Sequence, residues 1–187
     1  MSTSLLNAPY HHGDLRRVLL DTALRILERE GEAGLGLRDL ARAVGVSPAA
    51  PYRHFDSRAA LLEALAVTGF QRFTQAMRDV AASQPADPLT AMGKTYVMFA
   101  LDNAGLFRLM FSPQLRKDNR PGLRMAADAA FATLRELTGG SDRNGRVAAL
   151  AAWARVHGLA VLLLDGQIAL QAGEDIEALV SEIIEKH

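Results

Sequence analysis

The chain has 187 residues, 49% of them hydrophobic and 22% charged, a globular composition that excludes a disordered or fibrous protein. Its 21 Lys and Arg balance 21 Asp and Glu, so any nucleic-acid surface must be a local patch rather than a basic coat. The absence of cysteine excludes disulfides, thiol nucleophiles, Cys-ligated zinc and iron–sulfur clusters, and suits the cytoplasm.

Residues 1–14 carry neither a basic n-region nor an apolar h-region, so no signal peptide is expected there. From Leu15 the apolar residues Leu15, Val18, Leu19, Ala23, Ile26 and Leu27 step by three and four, the stripe of an α-helix. Asp14 at its start and Gly31 past its end fit the usual capping asymmetry. A short helix follows through Leu37, Leu40, Ala41 and Val44, ending at Gly45. A third is expected from Ser47, as N-cap, and Pro48. A fourth, long helix starts near Ser57 and carries Leu62, Leu65, Phe70, Phe73 and Met77.

The breaker run Ser83-Gln84-Pro85-Ala86-Asp87-Pro88 separates this first part from later helices near 88–103, 105–111, 121–138, 142–171 and 175–186. No alternating strand pattern, internal repeat or low-complexity segment is present. The expected fold is all-α: a three-helix N-terminal unit over 13–73 and a larger helical body over 88–187. The apolar run from Val147 to Leu164 contains Arg155 and His157, so it reads as a helix buried on several sides in a soluble protein, with no membrane partner.

Residues 36–55 carry the most information. Gly45 can turn the chain at positive φ, Val46 fills the turn and Ser47 opens the next helix, the pattern of a helix-turn-helix whose second helix enters the DNA major groove. Pro48, Ala49 and Ala50 are small enough to approach base edges. Tyr52, Arg53 and His54 offer donors to phosphates or bases, with His54 also read as a brace. Phe55 reads as core. Arg38 and Arg58 are candidate phosphate contacts. From Arg38 to Arg58, four arginines face two aspartates, a local excess that a dimer would present twice.

Gly45-Val46-Ser47, Tyr52-Arg53-His54-Phe55 and Ser57-Arg58-x-x-Leu61-Leu62 resemble the TetR family of bacterial transcriptional regulators. The opening Tyr10-His11-His12-Gly13-Asp14-Leu15-Arg16 and the later Trp153-x-x-x-His157-Gly158 look like one branch of it, with a Trp-His-Gly motif in the C-terminal domain. The resemblance implies a cytoplasmic homodimer that binds a pseudo-palindromic operator in double-stranded DNA. It also implies a C-terminal domain for dimerisation and a small-molecule effector, with repression as the expected mode. The chain departs from the family at Ala49, where glycine is frequent, and at Pro51, where an aliphatic residue is usual. Pro51 removes one helical hydrogen bond and is expected to push Ala50 away from α geometry.

The body is rich in Phe and Met, which read mostly as core. Phe70, Phe73, Met77, Phe99, Phe107, Met110, Trp153 and His157 are the candidate lining of an apolar effector pocket, with Trp153 and His157 supplying its hydrogen bonds. His157 reads equally as a satisfied core histidine. Leu159, Leu163, Ile176, Leu179, Val180, Ile183 and Ile184 either close the monomer core or pair with a second subunit, and the resemblance favours the second, making them the candidate dimer seam. No cofactor or metal is expected: His11 and His12 lack a partner at ligand spacing. No catalytic set is found either, because His157 and Asp165 lie about 12 Å apart along one helix. The alternative to a DNA-binding regulator is a helical ligand-carrying protein without DNA binding.

Overall fold

The computed structural model describes residues 12–115, 119–138 and 142–186, with side chains from Leu15 onward. Among them are eight α-helices and no strand: α1 His12–Glu30, α2 Leu37–Val44, α3 Arg58–Ala82, α4 Pro88–Asp102, α5 Ala104–Met110, α6 Pro121–Leu137, α7 Arg143–Leu164 and α8 Ile176–Glu185. Short 3-10 turns occupy Glu32–Gly34 and Pro51–Arg53. The chain divides into two compact units, 1–65 and 66–187, and the division falls inside α3. Tyr10, His11 and the side chains of His12 and Asp14 lie outside the described residues.

The first unit closes on Leu19, Leu27, Leu35, Leu40, Phe55, Leu61 and Leu65, all essentially withdrawn from solvent. Each such side chain contributes roughly 1.5–3 kcal/mol on burial. α2 stops at Gly45, whose φ of 77° is open to glycine at no steric cost. There Gly45 N–H bonds the Arg42 carbonyl at 3.2 Å and Val46 N–H bonds the Ala41 carbonyl at 3.0 Å, a Schellman closure.

The third helix expected from Ser47 does not form. Residues 48–53 wind as tight turns, with Ala50 N–H on the Ser47 carbonyl at 2.9 Å and Arg53 N–H on the Ala50 carbonyl at 3.2 Å. The α-helical partner of that Ser47 carbonyl would be the amide of residue 51, and proline has none. The segment therefore tightens to shorter-range bonds. Ala50 stays in the right-handed helical region at φ −63° and ψ −43°, contrary to the expectation that Pro51 displaces it. The two backbone bonds that Ala50 makes outweigh the steric preference. Pro51 itself is buried.

The second unit is built around α4, which packs on α7 and α8. Gly93 allows this approach: a Cβ there would lie 3.2 Å from Ile184 and 3.4 Å from Val156. Val97, Leu159 and Val180 form a buried cluster, covered by Leu101, Val156, Leu163, Ile168, Ile176, Ile183 and Ile184. Gly69 is a second close approach, since a Cβ there would meet Met110 Sδ at 2.7 Å.

α7 ends at Leu164, not near 171. Gly166 adopts φ 66°, and its N–H and that of Gln167 close on Leu163 and Leu162 at 3.1 and 2.9 Å. α7 has the length and apolarity to cross a bilayer, but its Ala149, Leu159 and Ala160 pack into this unit. It is not buried on several sides: Val147, Leu150 and Leu162 are 57%, 37% and 45% exposed.

Candidate functional site

In the first unit, the turn after α2 presents a contiguous exposed set. Ser47, Pro48, Ala49, Tyr52 and Arg53 are exposed, Ala50 and His54 half-buried, and Arg38 and Arg42 exposed on α2. Phe55 anchors the segment from beneath at 2% exposure, with the Arg16 guanidinium 5.3 Å from its ring centroid. Pro51 and Phe55 thus turn inward, and Tyr52 and Arg53 between them turn outward.

Two of the four arginines in this stretch are engaged within the head. Arg42 pairs with Asp39 at 3.1 Å. Arg58 donates through Nε to the Leu35 carbonyl at 2.7 Å, and through Nη2 to the Glu32 carbonyl. In the fold it is a brace that fastens the Glu32–Gly34 turn to the start of α3, while the residue as a whole stays exposed. No local spacing points to this, because the two carbonyls lie more than twenty positions upstream.

The second unit contains a cavity of about 240 Å³. Phe70, Phe73, Met77, Met92, Tyr96, Phe111, Phe131 and Trp153 wall it with apolar and aromatic surface, and Asp87, Thr90, Arg155 and Glu185 add polar groups. Of the eight expected pocket residues, Phe70, Phe73, Met77 and Trp153 line it. Phe99, Phe107, Met110 and His157 do not: they form the layer behind, where Phe107 packs on Tyr96 at 5.8 Å and Phe99 on Phe73 at 5.2 Å between ring centroids. Met110 is buried against Gly69.

Tyr96 organises the polar interior. Its hydroxyl accepts from Trp153 Nε1–H at 3.1 Å and shares a 2.8 Å hydrogen bond with His157 Nδ1. Burial pushes the Tyr96 phenol well above its ordinary pKa, and the Trp153 bond offsets only part of that. The phenol is therefore neutral at physiological pH. His157 is a satisfied interior histidine rather than a lining residue, and the Trp153 N–H is already spent. Sequence spacing places Trp153 and His157 one turn apart, but nothing in it points to Tyr96, which lies on α4.

Asp87 caps α4, accepting from Leu89 and Thr90 N–H at 3.1 and 3.2 Å and from Thr90 Oγ1–H at 2.6 Å. These bonds, the Thr90 hydroxyl first, hold its carboxyl below the usual range. Arg155 caps the C-terminus of α8, with Nη2 on the Ile183 and Ile184 carbonyls at 2.6 and 3.0 Å.

Six of the seven residues of the expected dimer seam contribute to the protomer's own core. Leu159 and Val180 are buried, and Leu163, Ile176, Ile183 and Ile184 pack on them within one protomer. Leu179 is half-buried. Their stripe is the inner face of α8, which needs α4 and α7 to cover it. The large apolar side chains left exposed in this unit are Val147, Leu150 and Leu162 on α7, Met125 and Leu137 on α6, Leu89 on α4 and Leu170 beyond α7.

Two family models match this chain. Residues 89–187, more than half of it, match the tetracyclin repressor-like C-terminal domain, and residues 19–65 match the bacterial regulatory proteins of the tetR family. The chain belongs to the TetR family. Its TetR head and TetR body thus correspond to the two units of the fold. A solved protein of unknown function from Rhodococcus sp. RHA1 is 35% identical, with a TM-score of 0.81 over 96% of each chain. The TetR family transcriptional regulator PfmR from Thermus thermophilus shares the fold at 20% identity and TM-score 0.60, over 90% of this chain and 95% of that one. An uncharacterized HTH-type transcriptional regulator, YobS of Bacillus subtilis, is 28% identical over 96 residues. That match spans about half the length of each protein. Among the described residues of this TetR chain, no group of three metal-ligating side chains occurs.

Proposed function

We propose that this TetR-family chain is a homodimeric, cytoplasmic transcriptional repressor, released from a pseudo-palindromic operator by a small apolar or aromatic effector. The observation that carries the reading is the exposed segment from Ser47 to His54, held from beneath by Pro51 and Phe55. It offers small residues for close approach and Tyr52 and Arg53 as donors, which is what groove contact requires. Arg38 and Arg53 supply phosphate or base contacts, and Ser47, Pro48, Ala49, Ala50 and His54 the surrounding surface. Because proline shortens the segment, fewer side chains reach base edges than a full recognition helix would bring. A family of regulators also speaks against catalysis as the main activity.

The mechanism is steric occupancy of promoter DNA. Effector binding favours a conformation with the two heads at the wrong spacing. α3 is the connecting element, since one continuous helix carries Arg58 of the head and Phe70, Phe73 and Met77 of the cavity. The Trp153-His157-Gly158 resemblance supports the same branch of the family, with Trp153 and His157 both bonded to Tyr96. For the dimer we favour the outward face of α7: Val147, Leu150, Ala151, Ala154 and Leu162 are exposed, and a Cβ on Gly158 would meet nothing within 4 Å. Small residues at this spacing let a second helix approach closely. A gel shift on DNA upstream of the chain's own gene tests the reading. A ligand-carrying protein without DNA binding would give no shift.

A further inference from the structure

The cavity's polar groups can be sorted by which of their hydrogen-bonding sites are already used. Trp153 N–H is spent on Tyr96, and the Tyr96 hydroxyl bridges Trp153 and His157. The Thr90 hydroxyl donates to Asp87, and the first amides of α4 are taken by the same carboxylate. Arg155 differs. Only its Nη2 is engaged, on the two carbonyls at the end of α8. Its Nε–H and Nη1–H groups have no acceptor among the described residues, and no carboxylate pairs with its charge there. A half-buried guanidinium facing an aromatic cavity, with donors to spare and no counter-ion among those residues, is a site for an anion.

We propose that the effector is an amphipathic monocarboxylic acid, its carboxylate held by Arg155 and its apolar body against Phe70, Phe73, Phe111, Phe131 and Trp153. This rests on the effector-binding reading above and gives it a chemical class and a specificity-determining residue. Two other ionised side chains line the cavity, Asp87 and Glu185, and both are exposed. Asp87 has its negative charge directed into the N-terminus of α4, and Glu185 sits at an exposed position, where screening is strong. The carboxylate of the ligand therefore lies at Arg155, and a cationic amphiphile is disfavoured there. The cavity of about 240 Å³ lies below the ordinary range for drug-sized ligands and calls for a small body, on the order of a medium alkyl chain or a single aromatic ring.

The test compares octanoate, 1-octanol and octylamine on the full-length protein at neutral pH. Binding is read by calorimetry and by fluorescence of Trp153, the only tryptophan. Octanoate is expected to bind about ten-fold or more tightly than 1-octanol, with octylamine weakest. Arg155→Gln removes the preference for the acid, so that octanoate no longer binds more tightly than 1-octanol. Arg155→Lys, which keeps the charge, retains part of the preference. If Arg155→Gln loses the end of α8 and with it all binding, the wild-type ranking and Arg155→Lys decide the matter. Equal or tighter binding of the alcohol to the wild type, or no binding by any alkyl carboxylate from six to twelve carbons, overturns the inference. Operator release is scored separately. Release by neutral compounds without acid binding keeps the regulator reading and refutes Arg155 as an acid site; acid binding without any operator does the reverse.

Discussion

The Tyr96 hydroxyl and His157 Nδ1 lie 2.8 Å apart, linking α4 to α7 inside the second unit, with the Trp153 indole as a third member. Tyr96→Phe keeps the ring contacts with Phe73 and Phe107 but leaves the indole N–H and the imidazole nitrogen without their partner. We expect a loss of about 1–3 kcal/mol, the usual range for an orphaned interior polar group. Denaturant unfolding checks this, and the emission of Trp153 should shift in the folded variant. An unchanged midpoint and spectrum would mean that the network carries no stability.

Arg58→Ala separates a brace from a phosphate contact. Two charge-assisted bonds to the Leu35 and Glu32 carbonyls are lost, one of them at the exposed edge. The head should lose about 1–2 kcal/mol, less than two interior bonds would give, because water competes there. Hydrogen exchange of the amides in α1 and α2 reads this without DNA. A variant with native protection but weakened operator affinity would return Arg58 to the phosphate backbone.

The fold class, the glycines that close α1 and α2 and most helix boundaries are legible in the sequence, because they rest on local periodicity and on local turn chemistry. Gly31 and Gly45 sit at positive φ at the ends of the two helices they are expected to close. The site is legible only in part. Phe70, Phe73, Met77 and Trp153 lie on helical stripes that face the cavity, but period alone does not tell lining from the layer behind, where Phe107, Met110 and His157 lie. Tyr96 and Arg155 escape sequence reasoning because their partners lie on other helices, 28 to 61 positions away. The α8 stripe reads equally as monomer core or as a seam between subunits, because an apolar face looks the same whether α4 or a second chain covers it.

The proposed α7 interface makes its own prediction. Leu150→Glu with Leu162→Glu places charges on the open face of α7, and sedimentation should give a folded monomer. Val180→Glu should instead unfold the second unit, since Val180 is fully buried in the protomer and an unpaired buried charge costs several kcal/mol. A folded monomer from Val180→Glu, or an intact dimer from the α7 pair, would move the interface elsewhere.

Asp87 gives a pH dependence of defined sign. Its folded pKa lies below the ordinary 3.8, so the cap's contribution is complete above that value and is lost as pH falls through the folded one. Asp87→Asn removes the ionisation and keeps an acceptor for the N-cap. Between about pH 5 and 2, the melting temperature of the wild type should therefore fall more steeply than that of the variant. Parallel curves would show that Asp87 makes no difference between the folded and unfolded states.

DNA reading by the segment from Ser47 to His54 is what the regulator proposal stands on. Bound fragments are selected from random duplexes, and the winning site is then titrated at controlled salt with wild type and Arg53→Ala. We predict a pseudo-palindromic site with half-sites about one helical turn apart. We also predict a loss of about 1–3 kcal/mol for Arg53→Ala, with unchanged thermal unfolding. Recovery of no sequence above background, or equal affinity of the two proteins for the selected site, would refute that role for the segment.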